Sequence, residues 1–129
     1  MSVKQEIYLG NPNLKKANVN TEFTKKQVAE YMKCAQDPVY FIRQYIKIVS
    51  LDEGVIPFDM YDFQEGMVEK FHEHRFNICK LPRQSGKSTI VTAYLLWYVL
   101  FNANVNVAIL ANKAPTARAV SYTHLRAHE

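Results

Sequence analysis

The apolar positions of this chain fall into blocks of different period, separated by polar and turn-forming residues. Val28, Tyr31, Met32 and Ala35 recur at helical spacing and predict a surface helix with one apolar face. Thr24, followed three positions later by Gln27, supplies a capping box at its start. Asp37-Pro38 then opens a second helix, with Asp37 as N-cap and Pro38 at the first helical position, where no backbone N–H is needed. Val39, Phe41, Ile42, Tyr45 and Ile46 make that helix strongly apolar, and the two helices are expected to form a hairpin packed on a main sheet. Residues 46–49 and 55–58 read as short strands around an Asp52-Glu53-Gly54 turn, with Pro57 confining the pair to an edge. Met67, Val68 and Phe71 continue a helix from Tyr61-Asp62-Phe63-Gln64, with Gln64 in its first turn.

The second half of the chain is more apolar. Phe76, Ile78, Cys79 and Leu81 predict a short buried strand over 76–81. From Ile90 to Phe101 the sequence is almost wholly apolar, which predicts a helix buried on every side. Asn102-Ala103-Asn104 ends it, and 105–111 reads as the next strand. Strand, helix and strand form a βαβ unit, expected to be parallel with a right-handed crossover. The loop Asn112-Lys113-Ala114-Pro115-Thr116 follows, with Thr116 capping a further helix through Ala117 and Val120. The first 23 residues, broken by Gly10, Asn11, Pro12 and Asn13, read as an extended arm with little regular structure.

Composition narrows the class. With 129 residues and 48% hydrophobic content, the chain is globular, one domain or part of a larger one. A net charge of +4 suits a nucleotide or nucleic-acid partner and equally suits ordinary solvation. Cys34 and Cys79 have no metal-binding spacing and read as free thiols. No stretch reads as a signal peptide or a membrane span, so no membrane partner is expected. His72 and His74, with Arg75, fit a helix C-terminus, where cations favour the dipole, better than they fit a metal pair.

The chemistry concentrates at Lys80-Leu81-Pro82-Arg83-Gln84-Ser85-Gly86-Lys87-Ser88-Thr89. Gly-Lys-Ser between a short apolar run and a helix is the layout of a phosphate-binding loop, whose N–H groups and helix N-terminus hold a polyphosphate. Gly86, Lys87, Ser88 and Thr89 form the candidate phosphate group, flanked by Arg83, Gln84 and Ser85. Lys87 would reach the β- and γ-phosphates, and the Ser88 hydroxyl would ligate Mg²⁺. The usual pattern G-x-x-x-x-G-K-[ST] is incomplete, because Leu81 stands where the first glycine would be.

A Gln-containing helix followed by this loop, with Arg83 four positions before Lys87, resembles the ATPase domain of phage terminase large subunits, in the T-even-like branch. The likeness runs from about Gly10 to about Ala119, and the Leu81 departure is common in that family. It implies a partial P-loop NTPase of the additional-strand type, α/β with a parallel βαβ core and an N-terminal helical extension. Its parts would be an arm over 1–23, a helical hairpin and β-hairpin over 24–60, an incomplete ATPase core over 61–120 and a non-native tail over 121–129. The resemblance makes Arg83 and Lys87 catalytic, Phe63-Gln64 an adenine-recognition motif with Tyr61 or Phe63 packing on the ring, and Asn112-Lys113-Ala114 a coupling motif. ATP and Mg²⁺ would be the cofactors. Double-stranded DNA, a portal and a small terminase subunit would be the partners, a homo-oligomeric ring the assembly, and the cytoplasm of an infected bacterium the location.

The family's acidic motif, an apolar strand ending in Asp-Glu, does not follow Lys113, so the chain is expected to stop inside the ATPase domain and not to be catalytically competent. Ser121 to Glu129 does not resemble the family's continuation and is similar to translated adapter sequence, which makes His124 and His128 a chance pair. Two other readings remain open: a helicase-like or restriction-type DNA translocase, which usually keeps Gly or a small residue at the Leu81 position, and a non-enzymatic nucleotide-binding module.

Overall fold

The structure, a computed structural model, describes residues 7–9, 11–15, 22–50, 52–110 and 115. It divides into two compact units, residues 1–30 and 31–129. In the first, β1 (Ile7–Tyr8) pairs antiparallel with β2 (Asn11–Lys15), Ile7 facing Lys15 and Tyr8 facing Asn11. Leu9, at φ 50, turns the chain between them. This corrects the expectation of an arm with little regular structure: a left-handed residue between two extended segments is enough to close a hairpin. Helix α1 (Lys25–Gln36) begins in this unit with the expected capping box. Thr24 N–H donates to Gln27 Oε1 at 2.9 Å, and Gln27 N–H donates to Thr24 Oγ1 at 3.3 Å.

The second unit holds the core. Asp37 caps α2 (Pro38–Tyr45), its Oδ1 accepting from Val39 N–H at 2.9 Å and Tyr40 N–H at 3.1 Å. Asp37→Ala leaves both donors without that partner and is expected to lower stability by about 1 kcal/mol, read as a shifted urea midpoint at unchanged m-value. The chain then enters an antiparallel hairpin, β3 (Lys47–Ser50) and β4 (Gly54–Pro57), with Lys47 opposite Pro57 and Ile48 opposite Ile56. Pro57 sits on an edge, where its missing N–H is tolerated. Two longer helices complete the unit, α3 (Asp62–Glu73) and α4 (Lys87–Phe101).

Helices α2, α3 and α4 pack on one another. Ile42, Val68 and Ile90 are fully buried at their centre, with Phe58, Met60 and Trp97 around them. Phe41 meets Phe101 edge-on at 5.3 Å between centroids, fastening α2 to the far end of α4. Arg43 reaches from α2 to Glu65 on α3 at 2.8 Å, an exposed pair of modest worth.

The parallel βαβ core is absent, and that fold expectation is overturned. The described residues form four helices and two-stranded antiparallel pairs only. Residues 76–82 and 105–110 form no strand and take part in no described backbone–backbone hydrogen bond. Ile78 is 100% exposed and Leu110 93%, so neither segment is a buried strand. An apolar run becomes a strand only when another segment satisfies its N–H and C=O groups, and here neither run finds one. Two further expectations fall with the sheet. The helical pair has no main sheet to rest on, and α2 packs on α3 and α4 instead. Helix α4 is buried on one side only: Ile90, Ala93 and Trp97 face the core, whereas Val91, Val99 and Leu100 are exposed. The Asn112-Lys113-Ala114 motif, the helix expected from Thr116 and the segment 121–129 lie outside the described residues.

Candidate functional site

The candidate loop emerges from the irregular segment 76–82 and ends on the first turn of α4. Two of its residues have left-handed backbones, Gln84 at φ 59 and Gly86 at φ 71. Gly86 is the N-cap of α4 and makes no side-chain cap. The first helical bond runs from Ile90 N–H to Gly86 C=O at 3.1 Å, which leaves the earlier N–H groups of the turn without an intrahelical acceptor. No acidic residue stands in that turn. A helix start with free donors and no carboxylate favours an anion.

The loop is closed on itself by the Pro82 carbonyl, which accepts from Ser85 Oγ at 3.0 Å and from Lys87 Nζ at 3.5 Å. Lys87, although exposed, therefore reaches back toward the loop. Arg83 and Gln84 are exposed, whereas Ser85, Ser88 and Thr89 are partly buried. Ser88 C=O is occupied by Thr92 Oγ1 at 2.8 Å. From His74 through His128 the sequence carries no Asp or Glu, whereas the loop itself carries Lys80, Arg83 and Lys87.

Beside the loop lies a cavity of about 370 Å³, walled by Ile48, Val49, Phe58, Phe63, Gln64 and Gly86 among others. Tyr61 and Phe63 stack at 5.9 Å with an interplanar angle of 10° at its edge. Gln64 is the best-buried polar residue here, 1% exposed. Its Oε1 accepts from Tyr61 N–H at 3.0 Å, and its Nε2 donates to Ser85 C=O at 3.4 Å. Phe63, Gln64, Gln84, Ser85, Gly86 and Thr89 line the cavity and Lys87 contacts the loop, whereas Arg83 and Ser88 join this neighbourhood by chain position alone. The hairpin residues Ile48, Val49 and Phe58 were not anticipated as walls. The only sequence signal for them was apolar character at a turn of the chain, which says nothing about which loop they face.

The donor set fits a polyphosphate: free N–H groups, an ammonium folded over them, and a glycine where an added Cβ would lie 2.5 Å from Gln64 Nε2. Among the described residues no group of three or more His, Cys, Asp or Glu is placed to hold a metal. A Mg²⁺ ion would therefore be held by phosphate oxygens and the Ser88 hydroxyl, in the usual manner of that ion.

A second cavity of about 590 Å³ opens about two turns further along α4, lined by His72, Arg75, Tyr94, Trp97, Tyr98 and Asn106 among others. The Tyr94 hydroxyl donates to Phe71 C=O at 3.3 Å, and burial, then the neighbouring Tyr98, raises it above its ordinary 10.0. His72 and His74 both line this cavity, His72 edge-on to Trp97 and His74 beside Glu73 at 3.7 Å. No helix among the described residues is long and apolar enough to cross a membrane. A scan against models of known protein families finds none that matches this chain.

Proposed function

We propose that residues 82–89 bind the triphosphate of Mg·ATP and that the chain is the nucleotide-binding part of a terminase-type DNA-packaging motor. The observation that supports this most is the start of α4: uncapped, free of acidic residues, with Gly86 left-handed and Lys87 held over the loop. The base would lie in the neighbouring cavity against Phe63 and Tyr61, and the triphosphate would extend along 85–89 toward Ser88. Lys87 would replace its contact to Pro82 C=O with phosphate oxygens, and the exposed Arg83 would close on the γ-phosphate in bidentate fashion. In a packaging motor this binding would be coupled to translocation of double-stranded DNA through a portal-mounted ring, with a small terminase subunit, in the infected bacterial cytoplasm.

Calorimetric titration of the wild type and Lys87→Ala checks the site: loss of the Lys87 charge–phosphate contact should weaken binding by about tenfold. Equal affinity in the two proteins would contradict this account.

A further inference from the structure

We propose that the cavity between the end of α3 and the middle of α4 takes an unpaired base of a single nucleic-acid strand, with Arg75 on the adjoining phosphate. The proposal does not depend on the triphosphate reading of the loop, since none of its residues belongs to 82–89. Tyr94, Trp97 and Tyr98 stand three and four positions apart on α4, so their rings share one face of the helix. Tyr94 lies 5.6 Å from Trp97 and 6.3 Å from Tyr98 between centroids, each pair tilted by 31°. From the last turn of α3, Phe71 meets Tyr94 and His72 meets Trp97, both at 5.5 Å. Trp97 is buried at the floor, and Tyr98, 39% exposed, stands at the rim. At about 590 Å³ the cavity has the size of a small-ligand cleft.

The polar groups on the walls select the kind of ring. Asn102 gives its NH₂ to Tyr98 C=O at 2.9 Å, which leaves its oxygen to accept from a ligand. Asn106 lines the cavity and has no hydrogen-bond partner among the described residues, so both halves of its amide are free. A flat ring with donors and acceptors along its edge, set among aromatic faces, is a nucleobase. The charge at the mouth points the same way. Glu73 is paired with Lys70 at 3.3 Å, whereas Arg75 forms no ion pair among the described residues. The Arg75 guanidinium lies instead over the Phe76 ring, 5.2 Å from its centroid. Phe76 is 82% exposed, so a second stacking surface stands beside the first. One base in the cavity, the next on Phe76 and a guanidinium for the phosphate between them match successive nucleotides of a strand. A free mononucleotide would use only the first of these. A base in a duplex has its edge paired and its faces stacked, and does not enter.

Trp97 is the only tryptophan of the chain, so its fluorescence reports on this cavity alone. The test titrates the wild type with a short oligothymidylate, an abasic strand of the same length, the corresponding duplex and thymidine monophosphate. Saturable quenching by oligothymidylate is expected, with none by the abasic strand. The duplex and the monophosphate should be at least about tenfold weaker. Phe76→Ala and Tyr98→Ala change exposed rings and keep the reporter, and each should weaken the strand by about tenfold. Arg75→Ala should lower the slope of log affinity against log salt by about 0.7, one phosphate contact on a single strand. Mg·tripolyphosphate should not displace the strand. Absent quenching, or equal quenching by the abasic strand, removes the base from the cavity and overturns the proposal. So does wild-type affinity in Phe76→Ala or Tyr98→Ala, or an unchanged salt slope in Arg75→Ala. A monophosphate as tight as the strand makes this a mononucleotide site, and displacement by tripolyphosphate moves the strand to the loop; either result also overturns it.

Discussion

Gly86→Ala is expected to damage both stability and triphosphate binding, and more than any other glycine change in the second unit. Two independent effects add at this position. Gly86 has φ 71, and an L-residue in the left-handed region costs about 1 kcal/mol or more. The new methyl group would also stand 2.5 Å from Gln64 Nε2, so that a side chain 1% exposed would have to move. Moving it strains or breaks the bond from Gln64 to Ser85 C=O, worth about 0.5–1.5 kcal/mol. Together a loss of about 2 kcal/mol is expected from urea unfolding, with Mg·ATP affinity down at least about tenfold because the loop donors are displaced. The control is Gly66→Ala. Gly66 lies inside α3 with nothing within 4 Å of the added Cβ, so alanine there should stabilise by about 0.5–1 kcal/mol. If Gly86→Ala behaves like Gly66→Ala, the close approach of Gln64 to the loop is not a feature of the folded protein.

Trp97→Ala is expected to be the most destabilising single change. The indole is 3% exposed and packs against Tyr94, His72 and Phe101 with centroid distances between 5.5 and 6.1 Å. Its Nε1–H donates at 2.8 Å to the carbonyl of Cys34. That carbonyl is among the last four of α1, so the indole supplies a donor to the C-terminal turn of a helix 63 residues away in sequence. Truncation to alanine removes a large buried ring and a short buried hydrogen bond, a combined cost of about 4–6 kcal/mol. Against a total of about 5–15 kcal/mol, that would leave the second unit marginal or unfolded at room temperature. Trp97→Phe keeps most of the apolar surface and loses the hydrogen bond, and should cost about 1–3 kcal/mol. A Trp97→Phe protein as unstable as Trp97→Ala would assign the effect to the hydrogen bond alone; one as stable as the wild type would remove it from the account.

The parts of the fold legible in the sequence are those whose cause is local. Asp37-Pro38 starts α2 because a carboxylate and a proline satisfy a helix start within four residues. Thr24 and Gln27 close a reciprocal cap by the same logic. The hairpin of β3 and β4 follows from Gly54 at φ 74 between two short apolar runs. The extent of α4 follows from the almost wholly apolar run Ile90 to Phe101, bounded by Gly86 before the first turn and Asn102 after the last. What failed depends on partners elsewhere in the chain. Phe76 and Ile78 in one segment, and Val105, Val107 and Ile109 in the other, alternate as strands would, yet alternation supplies no hydrogen-bond partner, and 76–82 and 105–110 form no strand.

The candidate site divides in the same way. The residues of 82–89 were legible because a glycine, a lysine and a hydroxyl at fixed spacing specify a chemistry directly. The walls from Ile48, Val49 and Phe58, and the bond from Gln64 to Ser85, arise from packing between segments more than 20 residues apart. No periodicity or composition carries that information. Gln64 is the clearest case: its place at the start of α3 was legible, and the direction in which its amide points was not.

The most direct measurement of the central claim is an amide-resolved NMR titration of the wild-type chain with Mg·ATP. The account predicts saturable shifts that are largest at the N–H groups of Ser85, Gly86, Lys87 and Ser88, with smaller ring-current shifts at Val49 and Phe63, and none of these in Lys87→Ala at the same concentrations. Shifts centred instead on Tyr94, Tyr98 and Asn106, or no saturable shift at the start of α4, would contradict it.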